Sequence, residues 1–198
     1  LKANGSVEKI QELIQNTSNT EAAFIDVGAN VGFMTMYGIN IGRPVFAIDP
    51  ISYNIGKLCE GLKANVERGW AQSNNNFHLF HAAAGPSYQP LINITRPSDK
   101  VGFFDQSSLS REAVKQGDVV TEQIPMVTVD SIIPNDMAVG VVKIDVQGHE
   151  YGVLSGMRTL LSRDSGYPTH VFYEDNHIMT VDAGYKVGAC AQLLQEYG

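Results

Sequence analysis

A glycine-rich segment flanked by acidic residues is the part of this sequence best suited to chemistry. It reads Asp26-Val27-Gly28-Ala29-Asn30-Val31-Gly32 and follows an apolar run that begins at Ala22. Gly28 and Gly32 let the backbone turn sharply and approach a ligand closely between a strand and a helix. Asp49 lies about 20 residues further on, the spacing of a carboxylate that accepts hydrogen bonds from both hydroxyls of a ribose. We therefore expect a nucleotide-cofactor site, although an isolated acid at a strand end is equally well explained as a helix cap or turn residue.

The elements that position these residues alternate between strands and helices. An amphipathic helix and a polar loop occupy residues 1–20, and we expect the helix to pack across the domain as a lid. Residues 87–125 have little periodicity and are interpreted as an insertion with short strands and a polar loop. Because the strands are apolar throughout, we predict a mostly parallel sheet with helices on both faces, in a single domain over residues 1–198. The predicted strands are Phe24–Val27, Val45–Ile48, Phe77–Ala84, Met126–Val129, Val139–Val146 and His170–Tyr173. The predicted helices begin near Val31 or extend along Ile55 to Val66, Val153 to Leu161 and Val187 to Tyr197.

Composition excludes several classes of protein. The chain has 198 residues, 43% hydrophobic and 18% charged, and a formal net charge of −7, which would repel a phosphate backbone, so no nucleic-acid partner is expected. No apolar run approaches the ~20 residues that cross a bilayer, so we expect no membrane span and a soluble, by default cytoplasmic, domain. Cys59 and Cys190 both occupy apolar helical positions and are predicted to be buried thiols. Because the chain begins at Leu1 and not at Met, we interpret it as a piece of a longer protein that can carry targeting segments elsewhere.

Four segments in order give the sequence a specific resemblance. They read FIDVGANVG, FAIDP, VVKIDVQGHEYGVLSG and VFYED, and the third is the most telling. Together they resemble the FkbM family of S-adenosylmethionine-dependent methyltransferases, over nearly the whole chain from Ala22. The resemblance implies a Rossmann-like class I methyltransferase fold whose last two strands would lie beyond Gly198, which would leave the strand before Glu174 as an edge open to a protein partner.

The resemblance also implies roles for individual residues. Asp26, Gly28, Asn30 and Gly32 would line the methionine end of the cofactor, and Asp49 would hold its ribose. Ala83 would lie beside the adenine, and Asp145 would face the methylsulfonium group, where a negative charge suits a cation. The family usually has Glu where this chain has Gln147, and a small residue where it has His149.

Methyl transfer to a hydroxyl requires alignment of the two reactants and removal of the hydroxyl proton. The candidates to take that proton are Asp145, Glu174 and His149, ranked by their position at or just beyond the ends of strands. A lone histidine is more often structural, and Glu150 is better explained as a favourable charge at a helix N-terminus. Asp145 and Glu174 form too sparse a set of oxygen ligands for Mg²⁺, so no metal is predicted.

The favoured hypothesis is therefore an O-methyltransferase that uses S-adenosylmethionine and acts on a hydroxyl of a small molecule or sugar. One alternative is a catalytically silent methyltransferase-like domain that serves as a structural or interaction subunit, since Gln147 alters the signature. A second is a nicotinamide-dependent oxidoreductase, which the Gly-x-x-x-Gly spacing disfavours.

Overall fold

The computed structural model describes residues 4–70, 76–97 and 119–197. Strands and helices alternate over most of this length, as the pattern of apolar runs predicts. The elements are α1 Asn4–Asn16, β1 Ala23–Val27, α2 Phe33–Asn40, β2 Val45–Asp49, α3 Ser52–Glu67, β3 Phe77–His81, β4 Ala83–Ala84, β5 Gln89–Pro97, β6 Val119–Val127, α4 Val129–Ile132, β7 Val139–Ile144, α5 Glu150–Ser155, α6 Arg158–Leu161, β8 His170–Tyr173, α7 His177–Asp182 and α8 Ala189–Gln195.

A parallel five-stranded sheet organises the fold, in the order β3-β2-β1-β7-β8. The chain moves outward from β1 to β3, then returns to place β7 on the other side of β1. In parallel sheets ligands bind outside the carboxyl ends of the strands, at the point where the strand order reverses. The ends of β1 and β7 are that point.

Helices cover both faces of this sheet, which confirms the predicted fold class. On one face Ile25, Val27 and Ile144 pack with apolar residues of α5, α6 and α8. On the other face Phe24, Val45 and Val141 pack with α1 and α2. No helix in the described part of the chain is long and apolar enough to cross a bilayer.

Helix α1 was predicted to pack across the domain as a lid, and that prediction was wrong, because the helix is a packed layer of this second face. Ile10 and Ile14 are buried in the same cluster as Phe24. The loop after α1 is held by Arg43, which is 5% exposed and donates to the carbonyl oxygens of Gln15, Thr17 and Asn19 at 2.6–3.2 Å. Buried apolar contact and charge-assisted hydrogen bonds therefore fix α1 as a layer of the core.

A second, three-stranded sheet has the order β4-β6-β5. The predicted single strand Phe77–Ala84 is in fact two strands, because a bend at Ala82 moves Ala83 and Ala84 out of the large sheet to pair with β6. β5 and β6 are nine residues each and pair antiparallel, so the predicted insertion carries longer strands than expected. Residues 98–118 lie outside the described part of the chain.

Three further predictions need correction. The strand predicted over Met126–Val129 ends at Val127, because the Thr128 hydroxyl accepts a hydrogen bond from Ser131 N and caps α4. The helix after β7 is divided at Gly156, where a Cβ atom would lie 2.0 Å from the carbonyl oxygen of Gly85. Cys59 is exposed, whereas Cys190 is buried as predicted.

Candidate functional site

The glycine turn lies between β1 and α2, at the carboxyl edge of the sheet. Gly28, Asn30 and Gly32 have φ of 75°, 52° and 90°, a left-handed conformation that glycine and asparagine adopt most easily. A Cβ atom on Gly28 would lie 1.8 Å from the backbone oxygen of Asp145. Glycine is therefore required there for the turn to pack against the end of β7.

Asp49 connects this turn to the next unit of the fold. Its Oδ2 accepts from Asn30 N at 2.8 Å, and its Oδ1 accepts from Ile51 N at 3.0 Å and from Asn54 Nδ2 at 3.1 Å. Burial raises the pKa of the Asp49 carboxyl to about 6 against the opposing effect of these hydrogen bonds. A carboxylate has about four lone-pair sites, so Oδ2 keeps capacity for another donor beside the turn.

Asp26 lies beneath the turn and is fully buried. Its Oδ2 accepts from the Thr35 hydroxyl at 2.7 Å, and its Oδ1 lies 3.1 Å from the Lys143 ammonium. The same ammonium donates to the carbonyl oxygen of Gly28 at 2.9 Å and lies 3.8 Å from Asp145 Oδ2. Burial lowers the pKa of Lys143, but the charges of Asp26 and Asp145 outweigh it and hold that pKa above its ordinary value. Asp26 and Lys143 therefore anchor the turn from inside.

Two candidate proton acceptors come together at the ends of β7 and β8. The Gln147 side-chain Nε2 donates to Asp145 Oδ1 at 3.0 Å and to Glu174 Oε2 at 3.1 Å. Asp145 keeps 44% of its side-chain surface exposed, and Glu174 is exposed. Both carboxyl groups can therefore be reached from solvent.

His149 has different surroundings. Its Nε2 lies 3.5 Å from the Tyr185 hydroxyl, and its ring packs against that of Tyr185 with centroids 5.3 Å apart. Burial lowers the pKa of His149 to about 4, so the ring is neutral near pH 7. The surroundings of His149 fit a structural role better than that of a base shared with Asp145.

Ala83 is buried in β4, in one cluster with Ile51, which follows Asp49 closely in the chain. The residue thus lies on the side of the site where Asp49 and α3 meet. Among the described residues, no group of three or more His, Cys, Asp or Glu side chains is arranged to hold a metal ion.

Sequence reasoning assigned no role to four residues that shape this site: Thr35, Asn54, Lys143 and Gln147. Lys143 did leave a signal, since it is the only charged residue in the otherwise apolar strand Val139–Ile144. Asn54 is 3% exposed and its Oδ1 has no hydrogen-bond partner in the described structure. Neither property leaves a signal in the sequence.

The model of the methyltransferase FkbM domain family matches residues 26–198, so the chain belongs to that family. Among solved structures it is similar to the methyltransferase FkbM of Methylobacillus flagellatus, with 18% identity and a TM-score of 0.46 over 77% of this chain and 36% of that chain. It is also similar to an S-adenosylmethionine-dependent methyltransferase of Agrobacterium tumefaciens, with 14% identity and a TM-score of 0.33 over 40% of this chain and 24% of that chain. An rRNA methylase of Streptococcus thermophilus matches at 15% identity and a TM-score of 0.31, over 39% of this chain and 42% of that chain. No curated protein matches, and the chain spans 36% of the length of the Methylobacillus protein.

Proposed function

We propose that this domain binds S-adenosylmethionine and transfers its methyl group to a hydroxyl of a small molecule or sugar. The observation that carries the proposal is the left-handed turn from Gly28 to Gly32, tied through Asn30 N to the carboxylate of Asp49. This arrangement lies at the strand-order reversal of a chain that belongs to the FkbM methyltransferase family.

The donor and acceptor groups at the carboxyl edge fit this cofactor. Gly28, Asn30 and Gly32 are proposed to line its methionine end, with Asp49 at the ribose and Ala83 at the adenine. Asp145 is proposed to face the sulfonium, because an exposed carboxylate favours a cation. When bound, S-adenosylmethionine supplies an electrophilic methyl group.

Asp26, the remaining cofactor candidate, is proposed to act indirectly. It is 0% exposed, and its two oxygens are engaged by Thr35 and Lys143. Its contribution is to hold the glycine turn in the conformation that receives the ligand.

The chain's own part in the reaction is to orient the acceptor and remove its proton. Asp145 and Glu174 are the proposed groups for the second task, because both are accessible and lie within one hydrogen-bonded set. A positioned base of this kind contributes typically about 10²–10⁴-fold to the rate.

Isothermal titration with S-adenosylmethionine tests the proposal directly. We expect saturable binding to the unaltered chain, and a loss of at least ~10-fold in affinity in Asp49→Ala, because a charge-assisted hydrogen bond is worth about 1.5–3 kcal/mol. Asp136→Ala, at an exposed site after α4, is the matched control and should bind normally. Circular dichroism establishes that each variant is folded. The absence of heat at millimolar cofactor from a folded chain would refute the proposal.

A second candidate is a methyltransferase-like subunit without activity, because Gln147 stands where the family usually has Glu and β8 offers a strand edge to a partner. In the described structure β8 pairs with β7 alone, which leaves one edge of β8 able to accept a strand from a protein partner. Turnover against a panel of hydroxylated small molecules and sugars separates the two candidates. Cofactor binding without methylation of any acceptor supports the second.

A further inference from the structure

The Gln147 side chain lies between the two candidate proton acceptors, Asp145 and Glu174, and donates a hydrogen bond to each. Its Nε2 carries two hydrogens, and the two hydrogen bonds to Asp145 and Glu174 use both of them. One carboxylate follows β7 and the other follows β8, so a single amide fixes their relative position across two strands.

The backbone conformation of Gln147 is itself held in place. Its φ is 56°, and Gly148 beside it has φ 98°. Glu150 is 2% exposed, and its Oε1 accepts from the backbone N–H groups of Val146 and Gly148 on either side, both at 3.1 Å. A Cβ atom on Gly148 would lie 2.4 Å from the carbonyl oxygen of Met179. Glu150 and the backbone of Met179 therefore hold this turn in place, and its left-handed conformation sets the direction of the Gln147 side chain.

The charges around the two carboxylates are unequal. Lys143 Nζ lies 3.8 Å from Asp145 Oδ2, so Asp145 has a cation beside it. Burial raises the pKa of Glu174, and the charges of Asp145 and Glu150 and a hydrogen bond with Asp145 raise it further, while the hydrogen bond from Gln147 lowers it. Asp175 and His177, which follow in the chain, face each other with Oδ2 and Nε2 3.4 Å apart. Gln147 is therefore a neutral donor whose two hydrogen bonds offset the repulsion between the Asp145 and Glu174 carboxylates.

We propose that Gln147 is a positioning residue, which holds Asp145 and Glu174 side by side so that they act as one proton-accepting unit toward the acceptor hydroxyl. This inference rests on the proposed methyl transfer. The acceptor oxygen forms a bond to the methyl carbon, the carbon–sulfur bond breaks with its electron pair left on sulfur, and the hydroxyl proton passes to the carboxylate pair and then to water.

The test compares Gln147→Met, which keeps length but removes both donors, with Gln147→Glu, which also adds a charge. Side-chain carboxyl ¹³C titration by NMR follows Glu174 and Asp145 in the chain without any ligand, with Glu174→Gln and Asp145→Asn used to assign the signals. We expect the Glu174 midpoint to move to higher pH in Gln147→Met and further in Gln147→Glu. Gln192→Met, at an exposed position of α8, is the matched control and should leave it unchanged.

The same variants are assayed with the acceptor that the panel identifies. We expect kcat to fall by about 10-fold in Gln147→Met and the acidic limb of its pH profile to move to higher pH. An unmoved Glu174 midpoint in both folded variants overturns the inference while cofactor binding, measured by titration calorimetry, still supports the proposed function. If the Glu174 midpoint shifts but the folded chain does not bind the cofactor, both the proposed function and the inference that rests on it are overturned.

Discussion

Lys143→Met is the substitution whose effect can best be worked out from the structure. It replaces the ammonium with an apolar group of similar length, while Asp26 remains fully buried. The carboxylate then keeps its hydrogen bond from Thr35 at 2.7 Å but loses the cation at 3.1 Å. The carbonyl oxygen of Gly28 loses a donor at 2.9 Å in the same step.

Breaking a buried ion pair by removal of one partner typically costs about 3–5 kcal/mol. Because the Lys143 side chain is 15% exposed, we expect a loss at the lower end, about 3 kcal/mol in the free energy of unfolding. For a chain of this size the melting temperature should then fall by roughly 6–12 °C. Urea denaturation followed by circular dichroism measures the free energy, and calorimetry measures the temperature.

Two further variants give the experiment its controls. Asp26→Asn/Lys143→Met removes both charges and should be more stable than Lys143→Met alone, by about 1 kcal/mol or more, since the buried carboxylate is gone. Lys63→Met alters a lysine that is 78% exposed and 3.9 Å from Glu67, and should change stability by less than about 0.5 kcal/mol. A loss below about 1 kcal/mol in Lys143→Met, or a double variant no better than the single one, would refute the reasoning.

Two other predictions follow from the site. Gly28→Ala places a Cβ atom 1.8 Å from the backbone oxygen of Asp145 and should abolish cofactor binding. Gly42→Ala is the control, because Gly42 also has a positive φ of 79° but a Cβ atom there would meet nothing within 4 Å; it should lower the free energy of unfolding by only about 1 kcal/mol and keep binding. Calorimetric titration measures the binding and urea denaturation measures the stability. Asp49 has a pKa of about 6 when folded, above its unfolded value of 3.8. Its contribution to the free energy of unfolding should therefore decrease by about 2 kcal/mol as pH rises from 4 to 6, and should become constant above about pH 7. Asp49→Asn should lack that decrease, and identical pH profiles for the two chains in urea denaturation would contradict it.

The sequence predicted those features whose signal is local and repeated. β8 spans the predicted residues His170–Tyr173, and β2 lies within one residue of its predicted range, because a continuous apolar run between turn residues has few other interpretations. The sequence did not predict the strand order β3-β2-β1-β7-β8, and the expected edge position of the strand before Glu174 came from the family resemblance.

The errors arise where a tertiary contact or a small local group overrides the pattern. Val129 has the character of a strand residue, but the Thr128 hydroxyl begins a helix there. Cys59 lies on a helix with apolar neighbours, yet it faces solvent. Helix α1 has an amphipathic pattern that fits a lid and a core layer equally well, and only the contacts of Ile10 and Ile14 decide between them.

Within the candidate site, sequence located the acids but not their partners. Gln147 was interpreted as the loss of a carboxylate, whereas its amide donates both to Asp145 and to Glu174, which lies 27 residues beyond Gln147. Asp26 was expected to line the cofactor, but no sequence pattern indicated that Lys143 would engage it from a neighbouring strand. Such pairings depend on strand register, which the sequence does not specify residue by residue.

The anchoring of the glycine turn by Lys143 also bears on the order in which the chain acquires its structure. Asp26 and its cation are separated by 117 residues. When synthesis has reached only the end of β6, the chain contains the whole glycine turn but not yet β7. It therefore lacks both Lys143, which pairs with Asp26, and the backbone of Asp145, which packs against Gly28. Contacts between such distant segments form late, because their loop-closure entropy must be overcome first. The glycine turn therefore reaches its final form only after β7, whose Lys143 lies 117 residues beyond Asp26, has been synthesised.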